Sequence, residues 1–314
     1  MWKLLGSHGL LALMLVPALA RAQANPNQIA ILRWYDANQS GISYAAGADL
    51  RGIAFDGVNL WVANHNAGTV TKLKASDGSV IGTYSVGAGA FGIAYDGANV
   101  WVTQAGGVTK LKASDGSLVG TYAIGSYPNV NLGVAFDGAN VWVANSNGTV
   151  TKLRASDGVC VAPCTFTVGG GGWASDVAFD GANVWVTSTG STVSKLRASD
   201  GSVVGIYPIG SRPSNVAFDG ANVWVTDYYG NTVTKLRASD GSVVGTYSVG
   251  ANPQGIAFDG ANVWVANWGS STVTKLNATS GSLIGTYPVQ PGASGVAFDG
   301  ANVWVTSSGS VNKL

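Results

Sequence analysis

Short stretches in which apolar residues alternate with small or polar ones recur along the chain, each bounded by turn-forming residues. In one copy, Ile256 and Phe258 alternate with glycine and alanine, a turn follows at 259–262, and an apolar run resumes at 263–265. Residues 272–276 and 283–289 repeat the pattern after polar segments. A period of two residues between Asp-Gly turns predicts four β-strands joined by tight hairpins.

The motif Phe-Asp-Gly-Ala-Asn-Val-Trp-Val, or a close variant of it, occurs seven times at a spacing of about forty residues. The aromatic residue that opens each copy is Phe55, Tyr95, Phe136, Phe179, Phe218, Phe258 or Phe298. A period near forty without a helical pattern predicts an all-β fold, a seven-bladed β-propeller of four-stranded antiparallel blades.

The tryptophan and the aspartate of this motif could carry chemistry or could build the scaffold. Because seven symmetric copies cannot converge on one site, we interpret the aspartates as turn formers, with metal binding as the weaker alternative. We interpret the tryptophans as core residues between blades. They are Trp61, Trp101, Trp142, Trp185, Trp224, Trp264 and Trp304.

The two ends of the chain predict how the ring closes. The last copy has only three predicted strands, whereas Gly-Ile-Ser-Tyr at 41–44 parallels the fourth-strand sequence Gly-Thr-Tyr at 245–247. We therefore expect the N-terminal segment, about 29–47, to complete the last blade. Since no linker interrupts the repeats, residues 25–314 are predicted to form a single domain. The place of residues 29–35, which also resemble a third strand, stays open.

Residues 1–24 have the pattern of a secretory signal peptide. Lys3 precedes an apolar stretch at 10–20, and Ala-Gln-Ala at 22–24 offers a cleavage site. The stretch is short and contains Pro17, so we expect no membrane insertion. The sequence thus predicts an exported protein, periplasmic or extracellular.

Charge and composition narrow the possible functions. The chain has 17 Lys and Arg against 16 Asp and Glu, and the basic residues are spread along the repeats. This distribution predicts no nucleic-acid partner. All the acidic residues are aspartates, so glutamate, a common general base and metal ligand, is missing from the sequence. We expect neither a metal ion nor a cofactor.

Both cysteines, Cys160 and Cys164, fall in the third copy, where they replace the usual start of the fourth strand. In an exported protein this pair predicts a disulfide that closes a small loop. A metal site is the weaker alternative, because two thiolates fall short of a four-ligand shell.

The sequence Gly-Ile-Ala-Phe-Asp-Gly-Ala-Asn-Val-Trp-Val-Ala-Asn, followed by Thr-Val-Thr-Lys-Leu, resembles YVTN and NHL-type repeats and, most closely, the virginiamycin B lyase-like propellers. The resemblance covers nearly all of residues 25–314 and implies the propeller fold, which serves lyases, surface antigens and binding modules. The streptogramin lyases of that family use histidine and glutamate with magnesium. After the predicted signal this chain has one histidine, His65, and no glutamate, so we transfer none of that active site.

The seven copies differ from one another unevenly. The Phe-Asp-Gly-Ala-Asn and Ala-Ser-Asp-Gly turns, which share one rim, hardly vary, whereas the loops of the opposite rim vary freely. Tyr, Trp, Asn and Arg in such loops are typical of binding surfaces. The predicted ligand-binding residues are His65, Tyr127, Trp173, Asp176, Arg212, Asn215, Asp227, Tyr228, Tyr229 and Trp268. Asp49, Arg51 and Gln254 lie in the between-blade loops of the same rim.

Asp176 and Asn215 stand where the other five blades have glycine at the predicted start of the innermost strand. Adjacent polar side chains at a channel mouth could bind a cation or a sugar hydroxyl. The alternative is that they hydrogen-bond each other and channel water. His65 is likewise either a loop-surface residue or a ligand or catalytic group.

Two classes of function stay open. The one we favour is an exported, monomeric binding module that recognises a protein, a peptide or a glycan through the variable rim. The other is a metal-assisted lyase or hydrolase at the central channel, built on Asp176, Asp227 and His65. The sequence supplies no nucleophile, base and orienting group in one set, so we assign no catalytic residue.

Overall fold

The computed structural model describes residues 42–124, 131–160 and 162–314, and every regular element in them is a β-strand. The strands form seven four-stranded antiparallel sheets. This confirms the predicted seven-bladed β-propeller. The predicted signal peptide, residues 29–41 of the closing segment and Tyr127 lie outside the described residues.

The strands follow the chain from the innermost to the outermost strand of each blade. The first strand is β1 (Ile42–Ala45). Blade 1 contains β2 (Leu50–Phe55), β3 (Asn59–Asn64), β4 (Thr69–Lys74) and β5 (Val80–Ser85); blade 2 contains β6 (Ile93–Tyr95), β7 (Asn99–Gln104), β8 (Gly107–Lys112) and β9 (Leu118–Ala123). Blade 3 contains β10 (Asn131–Phe136), β11 (Asn140–Asn145), β12 (Thr149–Arg154) and β13 (Thr165–Thr167); blade 4 contains β14 (Ala174–Phe179), β15 (Asn183–Ser188), β16 (Thr192–Arg197) and β17 (Val203–Pro208). Blade 5 contains β18 (Pro213–Phe218), β19 (Asn222–Asp227), β20 (Thr232–Arg237) and β21 (Val243–Ser248); blade 6 contains β22 (Pro253–Phe258), β23 (Asn262–Asn267), β24 (Thr272–Asn277) and β25 (Leu283–Pro288); blade 7 contains β26 (Val296–Phe298), β27 (Val303–Thr306) and β28 (Ser310–Lys313).

Strand β1 closes the ring, as the sequence predicts. It pairs antiparallel with β28 and becomes the outermost strand of blade 7. Its Tyr44 ring lies 5.6 Å from the Trp304 ring, the same arrangement that Tyr247 makes with Trp224 inside blade 5 at 5.5 Å. The N-terminal strand therefore reproduces both the backbone pairing and the aromatic contact of an internal fourth strand.

The repeated aspartate and tryptophan form one hydrogen-bonded unit per blade. In blade 5, Asp219 accepts the backbone N–H groups of Ala221 and Asn222 through Oδ1, and Trp224 Nε1 donates to its Oδ2 at 2.7 Å. Trp224 itself is fully buried. The carboxylate thus satisfies both the hairpin turn and the one polar atom of a core side chain. All seven blades repeat the Trp–Asp hydrogen bond.

A lysine of the third strand ties most blades to the next one. Lys235 Nζ lies 5.0 Å from the Trp224 ring centroid and donates to the carbonyl oxygens of Ala278 and Thr279 in blade 6. Each lysine therefore combines a cation–π contact within its own blade with a charge-assisted hydrogen bond to its neighbour. The same tie links the other pairs from blade 1 to blade 5, through Lys72, Lys110, Lys152 and Lys195.

The two lysines beside the closure differ from these five. Lys275 and Lys313 keep the cation–π contact with their own tryptophans, Trp264 and Trp304. Within the described ranges neither donates to a carbonyl. For Lys275 the reason is that blade 7 has no Ala-Ser-Asp-Gly turn, because its strands β28 and β1 come from opposite ends of the chain. Trp264 is accordingly 8% exposed, whereas the other six repeated tryptophans are fully buried.

The innermost strands begin earlier than the sequence predicts in five blades, and this corrects the predicted position of Asp176 and Asn215. Asp176 is the third residue of β14, and Asn215 is the third residue of β18. Each lies in a register shift, between Ala174 and Val177 in β14 and between Pro213 and Val216 in β18. Such a bulge redirects side chains, here toward the propeller axis. In blades 2 and 7 the innermost strand has only three residues.

Blade 3 departs from the repeat where the cysteines occur. Cys160 and Cys164 are joined by a disulfide, with their Cα atoms 5.6 Å apart. The outermost strand, β13, is shortened to three residues. Phe166 replaces the usual tyrosine and stacks 5.6 Å from Trp142, so the aromatic contact of the blade survives the irregular loop.

Candidate functional site

The variable loops meet at one end of the propeller. Loops between second and third strands pair through backbone hydrogen bonds with the between-blade loops of the same blade. The N–H of Tyr228 donates to the carbonyl of Arg212, and that of Trp268 donates to the carbonyl of Asn252. In the six blades whose two loops are both described, such bonds hold the loops together as one unit, which gives the rim a fixed shape.

A cavity of about 450 Å³ occupies the mouth of the central channel at this end. Five of the residues that the sequence predicts for ligand binding line it: Trp173, Asp176, Arg212, Asn215 and Tyr228. They come from blades 4 and 5. The structure thus brings half of the predicted residues to one side of one cavity.

Asp176 and Asn215 lie on the wall of the channel and bond directly. Asn215 Nδ2 and the backbone N–H of Val216 each donate to Asp176 Oδ2 at 3.1 Å. Burial raises the pKa of the Asp176 carboxyl from 3.8 to about 6, although these hydrogen bonds and that of the Val177 N–H act in the opposite direction. The carboxyl group is therefore a half-buried acceptor held in place on the channel wall, and its raised pKa brings its protonation to about pH 6.

Threonines of the second strands hold this part of the channel in place. The backbone N–H of Asp176 donates to Thr187 Oγ1, which in turn donates to the carbonyl of Ser214 in the next blade. Thr226 links Asn215 to Gln254 in the same way. These bridges fix the spacing of adjacent innermost strands and hence of the polar groups on them.

The cavity wall has two unlike halves. Blades 4 to 7 contribute a polar arc, in which Ser214 Oγ donates to Asn215 Oδ1 and Ser294 Oγ donates to Gln254 Oε1. Blades 1 to 3 contribute backbone and apolar groups. That half consists of Gly52, Ile53, Phe91, Gly92, Ile93, Leu132, Gly133 and Val134, together with one charged residue at its edge, Arg51, which is paired with Asp49.

Aromatic and guanidinium groups stand above the polar arc. The Arg212 guanidinium carbon lies 4.9 Å from the Tyr228 ring centroid and 5.4 Å from that of Tyr229. The two tyrosine rings meet edge to face at 5.2 Å. Trp173, on the neighbouring blade, is 57% exposed. Stacked, half-solvated groups of this kind offer large contact area at low conformational cost.

Asp227 lies elsewhere than the sequence suggests. It is the last residue of β19, not a loop residue, and only 4% of it is exposed. Its carboxylate accepts the backbone N–H groups of Ser211 and Arg212, both at 3.0 Å. Asp227 therefore shapes the loop that carries Arg212 and does not line the cavity.

His65, Tyr229 and Trp268 lie on the rim outside the cavity lining. His65 Nδ1 is 3.1 Å from Asp49 Oδ2, and Asp49 Oδ1 forms an ion pair with Arg51 at 2.8 Å. The Arg51 guanidinium stacks 5.1 Å from the Trp268 ring centroid, which connects blade 1 with blade 6 across blade 7. Arg51 itself lines the cavity.

The three side chains of the enzymatic alternative each have their own partners. His65 bonds Asp49, Asp176 bonds Asn215, and Asp227 bonds backbone groups, so no hydrogen bond joins any two of the three. In the ranges covered by the structure, no group of three or more His, Cys, Asp or Glu residues could hold a metal ion.

Sequence reasoning missed the serines of the polar arc and Phe91 of the apolar half. Ser175, Ser214 and Ser294 line the cavity, but serine is common in the loops of this chain and gives no signal by itself. A comparison of the seven copies could have identified these serines, because each directly precedes the position occupied by Asp176, Asn215 or Gly295.

The comparisons with known proteins show the fold and leave the family open. No protein-family model matches the sequence, and no curated protein matches it. Among solved structures, hydrazine synthase of Kuenenia stuttgartiensis is similar, with a TM-score of 0.72, 19% identity and coverage of 85% of this chain and 97% of that chain. At that identity the likeness shows a shared β-propeller fold. Since 1670 solved chains match, the fold does not narrow the function.

Among the described residues no helix has the length and hydropathy needed to cross a membrane.

Proposed function

We propose that this chain is an exported β-propeller that binds a protein, peptide or glycan at the variable mouth of its channel. One observation carries the proposal. Five of the residues at which the copies differ, namely Trp173, Asp176, Arg212, Asn215 and Tyr228, line the same cavity. Variable residues that did not share a binding site would be scattered over the seven blades.

The chemistry of the mouth supports binding. A cavity of about 450 Å³ falls within the range of about 300 to 1,000 Å³ that ligand pockets occupy. Aromatic residues and arginine, which dominate the energetics of binding surfaces, stand at its edge. The closed ring of blades holds these groups on a rigid frame, so little ordering is needed on binding.

The same proposal includes two further points: the chain is related to the YVTN and NHL-type repeat proteins, and residues 1–24 direct its export. Both rest on sequence patterns, the repeated strand motif and the signal-like N-terminus. N-terminal sequencing of the protein recovered from outside the cytoplasm tests the second, with a start at residue 25 as the expected result.

The binding proposal is tested by probing arrays of glycans and peptides with the exported protein and its variants. Replacing Trp173 and Arg212 together by Ala should reduce retention of the bound ligand by tenfold or more, on the order of 1 to 3 kcal/mol for each binding residue. Tyr95→Phe, at the opposite rim, is the matched control and should bind normally. Equal retention by both proteins, or no ligand on either array, would overturn the proposal.

A further inference from the structure

We propose that the ligand of the channel mouth is an uncharged saccharide, bound with its ring or its chain end inside the cavity. This inference rests on the proposed function and names its ligand class.

The shape of the site favours a compact ligand. Innermost strands of all seven blades line the cavity, so it is walled on every side and opens at the rim. An extended peptide needs an open groove or a free sheet edge, because its backbone groups must be paired along its length. Here the innermost strands are paired on one side and face the axis on the other. A single ring, or the end of a chain, enters such a space more readily.

The polar arc matches hydroxyl groups. Serine hydroxyls and the carboxamides of Asn215 and Gln254 can donate and accept, as sugar hydroxyls do. The existing bonds orient these groups before a ligand arrives, since Ser214 is bonded to Asn215 and Ser294 to Gln254. The Gln254 amide nitrogen makes no hydrogen bond within the described residues, which keeps two donors available.

The remaining surfaces match the C–H faces of a sugar ring. Phe91, Ile93 and Leu132 form the apolar half, opposite the polar arc. At the rim, Trp173 and Tyr228 add aromatic faces. A ligand with hydroxyls along its edge and C–H groups on its faces can satisfy both halves, whereas a wholly apolar ligand would leave the polar arc without partners.

The charges at the mouth favour an uncharged ligand. Arg51 and Arg212 line the same cavity as the Asp176 carboxyl group. Asp49 already neutralises Arg51. An anion drawn to Arg212 would still face Asp176, and a cation drawn to Asp176 would still face Arg212, so either sign meets a like charge. A neutral, hydroxyl-rich molecule avoids both costs.

The test is isothermal titration calorimetry of the exported protein with three sets of probes. The first set contains neutral sugars: glucose, galactose, mannose, N-acetylglucosamine and the disaccharides cellobiose, lactose and chitobiose. The second contains glucuronic and sialic acid, and the third contains uncharged tetrapeptides with free or blocked ends. We expect binding by at least one neutral sugar and weaker or no binding by the acids.

Variants then locate the site. Gln254→Ala and Ser294→Ala should each weaken binding of that sugar by about threefold to tenfold, as expected for one hydrogen bond. Trp173→Ala should weaken it by about tenfold or more. Ser114→Ala, a serine of the opposite rim, is the matched control and should bind like the wild type.

Each other outcome is decisive. Binding of tetrapeptides alone, lost in Trp173→Ala, would overturn the saccharide inference and leave the proposed binding function intact. Binding of the acids alone would overturn the inference that the ligand is uncharged, and binding of no probe would overturn the saccharide inference as a whole. A neutral sugar bound equally well by all three mouth variants would place the site elsewhere and overturn the proposed function too.

Discussion

At the scale of single residues, tryptophan serves two purposes in this chain, and its surroundings distinguish them. Trp224 is buried, donates its N–H to Asp219 and contacts both the Lys235 ammonium and the Tyr247 ring. Trp173 is 57% exposed at the edge of the channel mouth. Trp224 therefore stabilises the blade, whereas the exposed surface of Trp173 is available to contact a ligand.

This difference predicts opposite results for the same substitution. Trp224→Ala should lower the free energy of unfolding by roughly 3 to 5 kcal/mol, because it opens a cavity and leaves the Asp219 carboxylate without one donor. Trp173→Ala should change it by no more than about 0.5 kcal/mol. Urea denaturation of both variants measures the effect. A large loss for Trp173→Ala with little for Trp224→Ala would reverse the assignment of scaffold and site.

The buried carboxyl of Asp176 predicts a pH-dependent stability. Its pKa rises from 3.8 to about 6 on folding, so the folded protein binds this proton more tightly than the unfolded chain does. Below about pH 4 the carboxyl is protonated in both the folded and the unfolded protein, so Asp176 costs no stability. As the pH rises from there through about 6, the unfolded chain ionises more readily, and the free energy of unfolding falls. The full cost is at most about 3 kcal/mol.

Asp176→Asn should therefore raise the unfolding free energy relative to the wild type at pH 7.5 and leave it nearly unchanged at pH 4. The other carboxyl groups titrate in both proteins, so the difference between them isolates Asp176. Thermal melts at the two pH values check it. Equal destabilisation at both would mean that the Asn215 and Val216 hydrogen bonds outweigh the cost of burial.

At the scale of elements, strand β1 does the work of an internal fourth strand although it comes from the other end of the chain. Tyr44 packs against Trp304 and against Gly78 of the next blade, where a Cβ atom would meet the Tyr44 ring at 2.3 Å. Gly78 also has a φ of +72°, which glycine adopts without strain. The closing strand thus joins blade 7 to blade 1.

Tyr44→Ala should destabilise the propeller by roughly 2 to 4 kcal/mol, at least as much as Tyr247→Ala, the matched substitution inside blade 5. It should also increase aggregation, because loosening β1 exposes the edge of β28. Urea denaturation with light scattering measures both effects. A Tyr44→Ala protein as stable and as soluble as the wild type would show that ring closure does not depend on this strand.

Which elements the sequence predicted depends on how local their determinants are. The hairpins follow from turn residues and alternation within one copy, so their strands match the structure to within a few residues. The bulges that carry Asp176 and Asn215 arise from pairing with the second strand, where Val177 meets Val186 and Val216 meets Val225. The alternation of apolar and polar residues along a single strand does not reveal such a register shift.

At the scale of the whole molecule, the repeat predicted the ring, whereas contacts between distant blades had no sequence signal. The stack of Arg51 on Trp268 joins residues more than two hundred positions apart, one in strand β2 and the other in a loop, and each differs from its counterparts in the other copies. The lysine ties were visible in principle, since Thr-Val-Thr-Lys-Leu keeps its lysine throughout. Their direction toward the next blade required the three-dimensional arrangement.

The lysine ties also predict where the ring is weakest. Among the residues that the structure describes, five of the seven repeated lysines donate to carbonyl oxygens of the following blade, and the two that do not, Lys275 and Lys313, flank the closure. Blade 7 keeps neutral hydrogen bonds to its neighbours, from Thr306 Oγ1 to the Arg51 carbonyl and from Ser294 Oγ to Gln254 Oε1, but lacks on either side the charge-assisted hydrogen bond that joins the other blades. Opening of the ring should begin at blade 7.

Substituting methionine for two of these lysines tests that difference, because methionine keeps most of the apolar stem and removes the ammonium group. Lys235→Met leaves the Ala278 carbonyl buried without its donor, so the free energy of unfolding should fall by about 1 to 3 kcal/mol beyond the lost cation–π contact. Lys275→Met loses only the contact with Trp264 and should cost clearly less. Urea denaturation of the two variants side by side measures the gap, and native-state hydrogen exchange should show blade 7 amides exchanging before those of blade 5. Equal losses for the two variants would mean that the inter-blade hydrogen bond adds nothing, and that the seam is as strong as the rest of the ring.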